Sequence, residues 1–358
     1  MGRTAAPPAA LSPLIRLSTM SPWFIRILLL MLLLPGGLST GACAGLGSQV
    51  VAVPLSQQVA VGERYMGIRL LGTLRLPNAP IDGLPLRELS GLAWDEDAGL
   101  LYALSDRGAL FHLRPIFSDD RLGAVQLVAA YPLRDADGKP LRADFADAEG
   151  LAIINGDNGV PDDGQLVISF EVRMRIARYS PSGQWLGDEP LPAPLRLSNA
   201  YANPNLALEA VTIDPQWGLL TGPEQPLRGE APGYVPIYAQ NGRRWQYPLH
   251  SAPASALVAM EALPDGSLLT LERAFLSLLR PFVISLRRTR LLANQSLLQV
   301  ENVAVFDTSD GWLLDNFEGL TRQRGRRFFM ISDDNTNPLQ STLLVCFELL
   351  PLPGEKPW

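Results

Sequence analysis

Histidine and cysteine are scarce, with two of each in 358 residues. Two cysteines, Cys43 and Cys346, build neither a disulfide framework nor a zinc site. Two histidines, His112 and His250, exclude a His-rich metal centre. No Gly-x-Ser-x-Gly elbow occurs, and neither histidine stands in such a context. A Ser-His-Asp hydrolase therefore has no placed base, and both histidines read as structural or surface residues. Charged residues make up only 18% of the chain and the formal net charge is −6, so no polycation exists to hold nucleic acid. No long apolar face of period 3.6 is evident, and helices should be few. Glycine and proline are plentiful, at 31 each. That density of turn formers, in a chain with 47% hydrophobic residues, suits many short strands.

The first residues read as an address. Residues 20–44 have the form of a signal peptide, with Met20 as a possible later start. Arg26 supplies positive charge, and the apolar run 27–34 ends at Pro35-Gly36-Gly37. That run is too short to span a bilayer and has the length of a signal core. Two kinds of processing fit the small residues at 40–44. In one, Gly41-Ala42-Cys43 is a lipoprotein signal and Cys43 is lipidated; Thr40 departs from the usual aliphatic there. In the other, Ala42-Cys43-Ala44 is an A-x-A cleavage site. Either way the mature protein is expected outside the cytoplasm, periplasmic or membrane-anchored as a lipoprotein. The expected organisation is a signal peptide at 1–44, a linker at 45–64, a β domain at 65–350 and a tail at 351–358. Cys346, in the apolar run 343–347, reads as a small buried hydrophobe.

One form recurs along the chain. Glu88-Leu-Ser-Gly-Leu leads to Tyr102-Ala-Leu-Ser-Asp106. Glu149-Gly-Leu-Ala leads to Ile168-Ser-Phe-Glu171, and Glu209-Ala-Val leads to Leu220-Thr-Gly-Pro-Glu224. Glu318-Gly-Leu-Thr leads to Ile331-Ser-Asp-Asp334. A degenerate copy, 258–263, has Val258 in the Glu slot, puts Glu261 on the opposite face and leads to Leu271-Glu-Arg273. The copies start roughly 50 to 60 residues apart, a period suited to a four-stranded propeller blade. Five copies plus the unassigned ends, 65–76 and 342–349, predict an all-β propeller of six blades. The N- and C-terminal strands would close it and hide their edges. A pair of β-sandwiches is the alternative. The stretches 135–145, 155–164 and 222–236 read as insertions between strands.

In a propeller, residues at a repeated inner-strand position meet in a ring around the axis. Glu149, Glu209 and Glu318 hold such a position, with Ser90 in the first copy and Glu88 two residues earlier on the same face. Converging carboxylates need raised pKa values, basic partners or a cation. A hard divalent ion such as Ca²⁺ fits that demand. A second acidic set, Asp106, Glu171, Glu224, Glu272 and Asp333, ends the next strand. Arg107, Arg173 and Arg273 stand beside three of its members, so turn capping and ion pairing are the alternative there.

These residues, with Asp147-Ala-Glu-Gly-Leu-Ala152, Arg175-Ile-Ala-Arg-Tyr179, Leu263-Pro-Asp-Gly266 and Phe317-Glu-Gly-Leu320, resemble the phytase-like esterase family of exported bacterial proteins. The resemblance covers about residues 65–350. It implies a propeller and hydrolysis of esters or phosphoesters. The chain lacks the Asp-Asp-Pro-Ala motif of true propeller phytases, so phytate is not the expected substrate.

Two functions stay open on the sequence. One is metal-carboxylate hydrolysis of a small ester or phosphoester. Glu149, Glu209 and Glu318 would hold the cation, and Glu88 or Glu171 would take the proton. Arg107, Arg175 or Arg273 would hold an anionic group. The other is a non-catalytic propeller that binds a ligand or protein, with a structural cation and Trp94, Trp185, Trp217, Trp245 and Trp312 as a platform. The same tryptophans could instead wedge between sheets. The basic clusters 243–244, 287–290 and 322–327 read as solvated loops or an anion-binding rim. Contact with a membrane is expected only through a lipid anchor, and oligomeric state is not encoded legibly.

Overall fold

The computed structural model describes residues 49–203, 205–277, 280–352, 354 and 355, together with residue 2. The segment read as a signal peptide, with Cys43, lies outside the described residues. Among those described, helix is confined to four single 3₁₀ turns, such as Ala143–Phe145. Five antiparallel sheets carry the fold.

Blade I consists of Leu89–Asp95, Leu100–Ser105, Ala109–Ser118 and Arg121–Pro132. Blade II consists of Ala148–Ile154, Gln165–Phe170, Arg175–Tyr179 and Trp185–Glu189. Blade III consists of Ala210–Asp214, Gly218–Gly222, Tyr234–Ala239 and Arg244–Pro248. Blade IV consists of Ser255–Ala262, Ser267–Ala274, Val283–Arg290 and Val300–Asp307. Blade V begins with Asn316–Arg322 and Arg327–Asp333, continues with Leu343–Leu349, and then takes Ile68–Arg75 from the far end of the chain. The first strands of the five blades neighbour one another in a closed ring. This is a β-propeller, and a pair of sandwiches is ruled out.

The blades number five, not six. The terminal strands expected to form a blade of their own instead complete the Glu318 copy, which brings only two strands. Val345 pairs with Thr73 and Cys346 with Gly72, so the N- and C-terminal strands do close the ring. The expected linker is also partly structured: Val51–Ala52 extends blade V beyond Ile68–Arg75. Leu55, 1% exposed, packs with Trp312 in a core cluster. The tail folds back, with the Glu355 carboxylate accepting from Arg288 and Arg326.

The core lies in apolar layers between adjacent blades, each filled by alternate residues of neighbouring sheets. Trp217 meets Trp245 edge-on at 5.0 Å, and Trp312 packs against Tyr65 and Phe306. These tryptophans are wedges between sheets, and Trp185 stands apart at the outer edge of blade II. Cys346 is buried, and burial pushes its thiol up to about 12, so it is an inert core residue. His112 lies between Tyr102 and Tyr131 with its Nε2 at 2.8 Å from the Pro181 carbonyl. Nδ1 of His250 accepts from the Ala252 N–H. Arg287 and Arg288 are not solvated loop residues: both are buried, donating to Glu272 and to Asp265 and Glu355.

Candidate metal centre

The position singled out by the repeat is a bulge. In four of the five inner strands one residue is inserted opposite the second strand. The register shifts across Ser90, across Glu149 and Gly150, across Val258 and across Glu318. A bulge bends the strand and re-aims the side chain it carries. In blade III, Glu209 occupies the same place just before Ala210–Asp214. Small residues follow throughout: Gly91, Gly150, Ala210, Ala259 and Gly319. A Cβ on Gly91 would meet the Glu149 carbonyl of blade II at 2.7 Å. A Cβ on Gly150 would collide with the Glu209 carbonyl of blade III and with Ser169 Oγ. Glycine here lets neighbouring inner strands touch, and the Glu beside it faces the axis. Hydroxyls staple the ring further, with Ser90 Oγ donating to the Ala148 carbonyl at 2.8 Å.

Inner strands begin, and second strands end, at one mouth of the axis. There the two acidic sets meet. Glu88, Glu149, Glu171, Glu209, Glu224, Glu318, Asp333 and Asp334 are all buried, with Asp106 and Asp147 half-buried among them. Arginines neutralise part of this charge. Arg107 clamps Glu88 bidentately, with both bonds at 2.7 Å. Arg273 donates to Glu224 at 2.7 Å and lies 3.1 Å from Glu318. Asn316 accepts from Arg273 at 2.7 Å and donates to Glu318 at 2.9 Å.

Five carboxylates of the mouth, Glu224 among them, form two triplets that share Glu171. Oxygens of Asp147, Glu149 and Glu171 lie within 4.8 Å of one another, as do oxygens of Glu171, Glu209 and Glu224. Among the described residues no arginine or lysine pairs with Asp147, Glu149, Glu171 or Glu209. Glu171 accepts a short hydrogen bond from the Ala207 N–H, and Glu224 Oε2 is buried without a hydrogen-bond partner. Burial first, and neighbouring carboxylates second, raise Glu149 and Glu209 well above the usual range. Burial pushes Glu171 up to about 8, helped by Glu224 and opposed by the Ala207 N–H. Asp106 is also pushed up to about 8, by burial and then by Glu88 and Asp333. Such a set can bind a metal, and its donors are carboxylate oxygens alone. Backbone strain gathers beside it: Val172, next to Glu171, has φ 45°, and Glu88 has φ 52°.

The residues singled out from sequence divide accordingly. Glu149 and Glu209 each belong to a triplet. Glu318 shares the mouth but is held by Arg273 and Asn316, outside either triplet. Glu88 is held by Arg107 through both of its oxygens. Of the three arginines, Arg273 is consumed by the site itself. Arg175 stacks 3.6 Å above the Phe170 ring and donates to the Phe145 carbonyl. Arg107 alone keeps a mostly solvent-exposed side chain, at 63%. Glu272 leaves the acidic set: its carboxylate accepts from Tyr247, Ser255, the His250 N–H and Arg287, inside the sheets. The register puts Arg273 opposite Ala256, as Asp333 is opposite Asn316, so a base holds the acidic slot in blade IV. Sequence reasoning passed over Asp147 and Asn316 as site residues. Both lie two residues before the bulged Glu, as Glu88 lies two before Ser90, and that offset was the available signal.

The molecule is thus a five-bladed propeller with a carboxylate-rich mouth on its axis. The Phytase-like family model, described as esterase-like activity of phytase, matches residues 84–336, and the chain belongs to that family. No curated protein matches the chain. Solved structures that align with it include U3-55K, at 9% identity, 78% of this chain, 98% of the other and TM-score 0.39. XC5397 from Xanthomonas campestris, a gluconolactonase, aligns at 14% identity over 85% of this chain and 97% of its own, with TM-score 0.39. The Cps50 (Swd1) β-propeller domain of Myceliophteria thermophila aligns at 10% identity over 84% and 99%, with TM-score 0.35.

Proposed function

We propose that this mouth is a metal-dependent hydrolase site acting on ester or phosphoester bonds of small molecules. The observation that carries the reading is the arrangement of Asp147, Glu149, Glu171 and Glu209. Their oxygens converge while the arginines nearby are spent on Glu88, Glu224 and Glu318. An all-oxygen donor set of this charge suits Ca²⁺. A bound cation would polarise the scissile group and acidify a water. Asp106 is the side chain suited to carry the proton: it lies in the same mouth, its Oδ1 has no hydrogen-bond partner, and it titrates at about 8. Arg107 holds Glu88 through Nε and Nη2, and its Nη1 is left to meet an anionic substrate at the rim.

The test uses the mature chain, stripped with chelator and titrated with Ca²⁺ while hydrolysis of nitrophenyl phosphate and nitrophenyl acetate is recorded. Calcium should restore turnover. Glu149→Gln should weaken the calcium response, and Asp106→Asn should lower turnover by about 100-fold while the cation still binds. Calcium binding without turnover on either substrate would instead mark a non-catalytic propeller with a structural cation. The N-terminal segment supports export, with Cys43 as a lipid anchor. Mass spectrometry of the processed N-terminus separates lipidation from simple cleavage.

A further inference from the structure

The inner strands carry two more rings below the bulged one. Two residues on stand Leu92, Leu151, Val211, Met260 and Leu320, one per blade and all buried. They pinch the axis to a void of about 10 Å³, room for no more than about one water. The two mouths therefore do not communicate. Two residues further on stand Trp94, Ile153, Ile213, Ala262 and Arg322. They line a cavity of about 610 Å³ at the opposite mouth. Four members of that ring are apolar and the fifth is a guanidinium. Arg322 is the one cation lining the cavity among the described residues, and its Nε is buried without a hydrogen-bond partner. The rest of the lining is mixed, with Asn155, Thr212, Thr321 and Gln323 beside Ala152, Ile154 and Leu263; a cavity of this size with an apolar ring and a few placed polar groups has the make-up of a small-molecule site.

We propose that this mouth is a second ligand site, taking a small organic acid with an apolar body. Arg322 receives the acid group and Trp94, Ile153, Ile213 and Ala262 hold the body. Glu261 lies beside Arg322 in the lining; burial pushes its carboxyl up to about 8 against the Arg322 charge and backbone N–H, which lessens its opposition to an anion. The only other acid in the lining, Asp157, is exposed at the rim, where solvent screens it. The inference stands apart from the hydrolase reading, because the ring of Leu92, Leu151, Val211, Met260 and Leu320 separates the two sites.

The probe is anilinonaphthalene sulfonate, an aromatic anion whose fluorescence rises in apolar surroundings, titrated into the native protein and displaced with octanoate. Saturable binding at one site is expected, unaffected by chelator or by Glu149→Gln. Arg322→Leu should weaken it by about tenfold or more, from loss of a charge-assisted bond. Leucine there completes an apolar ring, so the fold should survive, which the melting temperature checks. Ala262→Trp, which puts an indole into the cavity on the strand next to Arg322, should weaken binding strongly, whereas Glu261→Gln, which keeps a donor, should leave it within about twofold. No saturable binding, or binding that Arg322→Leu and Ala262→Trp both leave unchanged, overturns the proposal. So does binding lost on chelation, which would put the probe at the carboxylate mouth.

Discussion

Arg273 decides where a cation can go. It is the one base at a position that carries an acid in the other four blades, and it binds two carboxylates from two different blades. Buried ion pairs break unevenly: removing one partner leaves the other charged and uncompensated. Arg273→Met should therefore lower stability by about 3–5 kcal/mol in chelator, read by urea denaturation. Added Ca²⁺ should recover part of that loss, because Glu224 and Glu318 then have a cation to bind. If calcium recovers nothing, the mouth does not hold a cation near those two carboxylates. The sequence places Glu272 and Arg273 side by side and does not say which faces the axis. The acidic pattern of the other copies favours Glu272. The structure reverses the choice: counted from the bulge shared with the other blades, Arg273 opposes Ala256 as Asp333 opposes Asn316, and Glu272, one residue earlier, points to the other face of the strand.

At the scale of the strand, the repeated Glu-Gly pair does two things at once. The glycine admits the next blade and the bulge turns the glutamate to the axis. Gly150 is the tightest instance, with the Glu209 carbonyl and Ser169 Oγ where its Cβ would be. Gly150→Ala should cost about 1–3 kcal/mol by overpacking. The mutation should also weaken calcium binding, since moving the Glu209 backbone disturbs Glu209 and its neighbour Glu149. Gly123→Ala is the control, since its Cβ meets only the Ile116 carbonyl at 3.8 Å and it lies exposed in the outermost strand of blade I. A loss of stability at Gly150 with unchanged calcium affinity would separate packing from the site. The repeat and its Glu position were legible in sequence, because each copy preserves residue order even where it carries Val258. The three-tier ring was not, although its members recur at steps of two. Leu151 and Leu320 look like any strand core residue until the blades are set around one axis. The count of blades failed for a related reason: strands 68–75 and 343–349 carry no copy of the Glu-Gly pair, so nothing local tells whether they start a blade or finish one.

For the whole molecule, the acidic mouth sets how stability depends on pH. Asp106, Glu171 and Glu318 titrate at about 8 in the folded chain, and Asp333 at about 6, all raised by burial. An exposed aspartate titrates at 3.8 and an exposed glutamate at 4.5. Between those limits the folded chain binds more protons than the unfolded one, so stability falls as pH rises. Their contribution is full below about pH 4 and lost by about pH 8. Opposing groups act at the acid end. Asp265 is lowered by its bonds to Ser267 and by Arg288 and Arg290, and its contribution is lost as pH falls through its depressed value. His112 and His250, held neutral by burial, weaken the fold once acid charges them. The metal-free protein should therefore be most stable in mildly acidic solution, with a melting temperature that declines from about pH 5 and levels off above about pH 8. Calcium should flatten that decline, because it takes the place of the protons that the carboxylates otherwise need. It should also release protons as it binds, measurable as a buffer-dependent heat in titration calorimetry. A decline that persists unchanged with calcium at saturation would mean that the protons at this mouth are not exchanged for a cation. The raised carboxylates would then be a fixed, proton-bridged part of the propeller.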